Sequence, residues 1–228
     1  MPTLFRGLSV DPAHVDRVCS EIARTGKMRA DEGMHSGSLM ADPDLVRSRA
    51  TAWLQSPGSI RDELMKISTM PLAYACGDCA GSAFYARRGT GAPFIVEFEV
   101  PWESMRVDGR DFLYTVFTLW DRRGDSHLGL VREALATLFG KAILKYFDQA
   151  KGALDERIGH CDLAIHDMDV LRAHYSNSIV IEGRYDTRFN SSFQFLDAVN
   201  PLGIRNIIKS LPIASESSRR ISLVKLVQ

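Results

Sequence analysis

The segment Pro93-Phe94-Ile95-Val96-Glu97-Phe98-Glu99-Val100-Pro101 constrains the fold more than any other. Apolar and charged residues alternate along it, and a proline bounds each end. That is the pattern of a strand with one face on a core and one toward water. Further strands read from Thr3 to Val10, from Ser178 to Gly183, and from Ile221 to Val227 at the close. Helices stand between them. Asp11 caps one, with Pro12 in its first turn, Val15, Val18, Cys19 and Ile22 on one face, and Gly26 as its stop. A polar, Gly-rich loop over 27–41 follows. Asp42-Pro43 opens a second helix with Leu45, Val46, Trp53 and Leu54, ended by Pro57-Gly58. A short helix is expected over about 59–66, a longer one from Leu72 to Arg88, and the strongest over 128–151. Residues 112–120 fit a strand or a helix, 163–171 form a short apolar piece, and 191–199 and 201–210 read as helical. This mixture lacks regular βαβ alternation, so the fold class expected is α+β.

The chain has 228 residues, enough to bury a proper core as a single domain. Lys+Arg and Asp+Glu are both 28, so the formal net charge is zero, which argues against gripping nucleic acid through overall charge. No apolar run approaches the roughly 20 residues of a membrane helix, so no membrane is expected among its partners. No signal peptide is visible at the start of the sequence. Four cysteines, Cys19, Cys76, Cys79 and Cys161, are too few for a disulfide scaffold at this length. A reducing compartment is expected: cytoplasmic, or the cytoplasm of a target cell into which the chain is delivered.

Several residues could carry chemistry. Arg6 sits inside an apolar strand and precedes Gly7, so it must be paired or face a cleft. Its guanidinium suits a phosphate or a carboxylate, and equally a structural salt bridge. Ser68-Thr69 before Pro71 can cap a helix, or hold a ligand or a catalytic side chain. Glu97 and Glu99 share one strand face, where paired carboxylates can do acid–base work or simply meet water. Glu182 precedes Gly183 at a strand end, which suits a site or a turn. Cys76-Gly77-Asp78-Cys79 is a C-x-x-C, with His160, Cys161 and His166 as conceivable further zinc ligands. Placed mid-helix among Ala and Gly, those thiols read more readily as packing, and no metal site is assigned. The P-loop, nucleophile-elbow, dinucleotide-fold and zinc-protease motifs are absent from the sequence.

The order of the pieces says more than any one of them. Leu4-Phe5-Arg6-Gly7 comes first, then Ile67-Ser68-Thr69-Met70-Pro71, then Ser82-Ala83-Phe84-Tyr85-Ala86, then Pro93 to Pro101. This series resembles the Arg–Ser–Glu branch of the ADP-ribosyltransferase superfamily. The resemblance covers 3–10 and 67–102, and 176–186 loosely. It implies a split-sheet core over 1–111 and 173–228, with a helical insertion over about 112–172 suited to target recognition. It implies transfer of ADP-ribose from NAD, the sole cofactor and itself a substrate, to a macromolecular acceptor, a protein rather than a nucleic acid. Such a chain would serve as a toxin, effector or regulator. Arg6, Gly7, Ser68, Thr69 and Tyr85 would bind NAD. The family's third element is a Glu, often in a Glu/Gln-x-Glu pair on a late strand, which stabilises the cationic sugar as the nicotinamide bond breaks. Here 176–178 offer Ser-Asn-Ser instead. Glu182 is assigned the catalytic role from a shifted register. The alternatives are another carboxylate such as Asp111, or a non-catalytic NAD- or protein-binding module on the same fold. A zinc or thiol protein using Cys76 and Cys79 is the remaining reading.

Overall fold

The structure, a computed structural model, describes residues 1–28, 72–196, 198–212 and 219–227. Ser68, Thr69 and the helices expected between 42 and 66 lie outside the described residues. Strand β1 (Thr3–Val10) leads through a 3-10 turn into α1 (Val15–Thr25). Asp11 caps that turn by accepting from the Ala13 N–H, and Gly26 closes α1 with φ 68, as their sequence positions predict. Next come β2 (Leu72–Cys76), α2 (Cys79–Arg87), β3 (Ala92–Glu99) and β4 (Met105–Val107). Five helices follow: α3 (Leu113–Leu119), α4 (Leu128–Phe139), α5 (Ile143–Phe147), α6 (Leu154–His166) and α7 (Met168–Tyr175). The chain then forms β5 (Val180–Glu182), β6 (Arg188–Phe189), β7 (Ser192–Leu196), β8 (Ile204–Ile208), β9 (Arg220–Ser222) and α8 (Leu223–Val227). The fold is α+β.

The main sheet has the order β4-β7-β2-β1-β3-β8, and every adjacent pair is antiparallel. A smaller sheet has the order β6-β5-β9. Register places Leu4, Leu8, Phe94, Val96, Phe98, Ala73, Ala75, Phe193, Phe195, Met105 and Val107 on one face, and all are buried. The long helical stretch covers this face. His174 on α7 stacks on Phe139 of α4 and meets Phe193 of β7, joining the two layers. The opposite face carries Gly7, Tyr74, Cys76, Gln194 and Arg106, and α2 packs over part of it. Gly7 makes that packing possible. A Cβ there would fall on the Ser82 carbonyl and lie 2.9 Å from the Ala86 N. Ser82 also donates its hydroxyl to the Phe5 carbonyl.

Four expectations are corrected. Leu72 to Arg88 is not one helix: Leu72–Cys76 is a strand, and Asp78 caps a separate helix through Gly81. The 191–199 and 201–210 stretches are not helical but hold β7 and β8, with a short 3-10 turn between them. The helix expected over 128–151 breaks at Gly140, whose φ is 76 and whose Cβ would crowd Ala173. At the close, only Arg220–Ser222 is strand, and α8 takes the apolar residues after it. Residues 112–120 resolve as helix α3.

Candidate functional site

Phe5 and Cys76 are the register partners that join β1 to β2. Beyond them, Arg6 occupies the place where ladder bonds would continue. Its Nη1 donates to the Tyr74 carbonyl at 2.5 Å and its Nε to the Met28 carbonyl at 2.6 Å. The half-buried guanidinium therefore bridges the opening between two strands. By register it shares a face with Leu4 and Leu8, opposite the face on which α2 lies.

On that other face stands a polar cluster. Tyr85 of α2 donates its hydroxyl to Asp111 Oδ2 at 2.5 Å. Asp111 is buried in the loop after β4, held there by the Arg184 N–H on its carbonyl. Burial and then the Asp108 charge push its pKa up, while Tyr85 and Arg110 work against that. The Tyr85 phenol is pushed well up by burial and by Asp111 itself. Beside Asp111, Arg110 forks onto Asp108 at 2.8 and 2.6 Å and lies 3.3 Å above the Tyr74 ring. The buried Thr187 hydroxyl flanks Gly183 next to Asp111 and has no hydrogen-bond partner among the described residues.

The residues singled out in the sequence are thus divided. Tyr85 and Asp111 meet directly; Arg6 stands across the sheet from them; Ser68 and Thr69 lie outside the described residues. Gly7 serves helix packing. Glu182 sits in the small sheet, half-buried, opposite Arg188 and with Arg220 Nη1 3.4 Å from its carboxylate. Two residues on, Arg184 binds Asp111, so Glu182 lies near the cluster along the chain but on another sheet. Glu99 pairs with Arg205 at 2.6 Å, and Glu97 lies opposite Phe5 and Asn206. Neither glutamate joins the Asp111 cluster by a hydrogen bond among the described residues.

The C-x-x-C spans a strand end and a helix start. Asp78 between the cysteines accepts from the Gly81 and Asn190 N–H groups. Burial and then the Asp78 charge push both thiols up, the reverse of what a redox thiolate needs. Among the described residues no group of three His, Cys, Asp or Glu is placed to hold a metal ion. His166 points instead at Arg106, at 2.8 Å.

Sequence reading missed Gln194. It is 2% exposed at the middle of β7, between Tyr74 and Arg106 in register. A buried amide on a strand is a visible signal only when the strand is recognised, and this stretch reads as a helix. No family model matches the chain, and neither a curated protein nor a solved structure matches it. No helix among the described residues is long and apolar enough to cross a membrane.

Proposed function

We propose that the chain is a mono-ADP-ribosyltransferase that moves ADP-ribose from NAD to a macromolecular acceptor. The observation that carries the reading is the Tyr85–Asp111 pair beside a sheet that opens at Arg6. Breaking the nicotinamide–ribose bond builds positive charge on the sugar, and a carboxylate held in place stabilises that charge. Asp111 takes this role in preference to Glu182, which already faces Arg220. The Arg6 guanidinium, on the opposite face, would meet the diphosphate.

A second reading is a non-catalytic NAD-binding module. It is supported by residues 176–178, where the resemblance calls for an acid and the sequence holds Ser-Asn-Ser. Neither a serine nor an asparagine can supply the negative charge that the cationic sugar needs.

NAD cleavage and label transfer into lysate separate the two. The transferase reading expects turnover in the wild type, loss in Arg6→Ala and in Asp111→Asn, and retention in Glu182→Gln. Tight NAD binding without turnover supports the module. Absence of both binding and turnover sinks both readings.

A further inference from the structure

Tyr74, Gln194 and Arg106 stand side by side in register on β2, β7 and β4, on the face opposite Ala73, Phe195 and Met105. Arg106 Nε donates to Gln194 Oε1 at 2.6 Å, and its Nη1 lies 2.8 Å from His166 Nε2. The other imidazole nitrogen, Nδ1, sits 2.7 Å from the Asp162 carbonyl, so it carries the proton and Nε2 accepts from Arg106. Both partners of this half-buried guanidinium are therefore neutral. Among the described residues no carboxylate pairs with it, since the nearby Asp162 accepts from the Tyr114 hydroxyl. Burial pushes the Arg106 pKa down from its ordinary value, although the Asp162 and Asp108 charges, neither in ion-pair contact with it, favour the cation. Arg110 stacks on Tyr74 from above and spends its Nε and Nη2 on Asp108. That leaves Arg106 Nη2, Arg110 Nη1, the Tyr74 hydroxyl and Gln194 Nε2 without acceptors among the described residues. Three guanidiniums, Arg110, Arg106 and Arg6, and one carboxylate, Asp108, place their charge close enough to Tyr74 to act on its phenol.

We infer that this row is a seat for a phosphate-class oxyanion, held between the Arg106 and Arg110 guanidiniums with the Tyr74 hydroxyl as a third donor. Three separate side-chain donors suit a tetrahedral anion with several oxygens better than a flat carboxylate with two. Arg106 gains a directly bonded anion, and a charge-assisted bond there is among the stronger polar contacts a protein makes. The seat does not rest on the transferase reading, because it needs neither NAD nor turnover.

The test uses the full chain with pyrophosphate, inorganic phosphate and malonate at matched ionic strength. Calorimetric titration is expected to show pyrophosphate or phosphate binding in the wild type, with malonate weaker. Arg106→Gln weakens it by roughly tenfold or more, and Tyr74→Phe by less, because the stacked ring stays. In the wild type, pyrophosphate also shields Arg106 and Arg110 from phenylglyoxal, read by peptide mass, while exposed Arg17 reacts as before. That measurement holds even if Arg106→Gln does not fold. No binding, equal binding in folded Arg106→Gln, a preference for malonate, or shielding reproduced by sodium chloride overturns the seat. Loss of NAD turnover with pyrophosphate binding intact overturns only the transferase reading; the converse overturns only the seat.

Discussion

His174 makes a sharp acid-sensitivity prediction. The residue is 1% exposed, its Nδ1 is 3.1 Å from the Leu138 carbonyl, and its Nε2 accepts from the Ser192 N–H at 3.0 Å. Those two partners demand the neutral ring, protonated on Nδ1. Burial holds its pKa down at about 4 against an ordinary 6.5, although the Leu138 carbonyl and the Asp108 charge favour the cation. The unfolded chain therefore binds a proton across this window before the folded chain does. The stabilisation is complete above the unfolded value and is lost as pH falls through the folded one. From those two values the loss is about 2 kcal/mol at about pH 5 and about 3 kcal/mol at about pH 4. The assay is urea unfolding at about pH 7 and pH 5, wild type against His174→Gln. Glutamine can still accept from Ser192 and does not titrate. The wild type should lose about 2 kcal/mol more than the variant between the two pH values. Equal losses would refute the reasoning, because every other titrating group is shared by both proteins.

Three further outcomes follow from Gly7 and from the Tyr85–Asp111 pair. Gly7→Ala forces a methyl against the Ser82 carbonyl and should destabilise by about 1–3 kcal/mol in urea unfolding, with α2 lifted off the sheet. If Asp111 is the catalytic carboxylate, the acid limb of NAD turnover lies above the ordinary carboxylate range, since burial and Asp108 raise its pKa. In Tyr85→Phe that limb should move further up, because the variant removes a hydrogen bond that favours the charged form.

The elements recognised in the sequence are those whose signals are local. Asp11, Pro12 and Gly26 bound α1 by their own backbone and side-chain chemistry, and β3 alternates because one of its faces is only partly covered. The elements misread are those whose character comes from neighbours. Ser192, Phe193, Gln194 and Phe195 of β7 are all buried, so no alternation between core and water marks the strand. Ala73, Tyr74, Ala75 and Cys76 of β2 are residues a helix also accepts, and pairing with β7 decides the matter. The site follows the same division. Asp111 stood among the candidate carboxylates and Tyr85 among the ligand residues. Arg106 and Gln194 became neighbours only through the β4-β7-β2 register, which no local pattern encodes.

The position of β1 has a consequence for how the chain is made. The strand nearest the N-terminus is a central strand of the main sheet, between β2 and β3. Its partners emerge from the ribosome later, and β2 then waits for β7, from which six helices, α2 to α7, separate it. Until β2 and β3 are made, Thr3–Val10 is unpaired and carries Leu4, Phe5 and Leu8, so slow assembly and early chaperone capture belong to this topology. A nascent chain cut short before residue 192 would hold β2 with one side open, and a chain lacking its first ten residues would hold two half-sheets with no strand to join them.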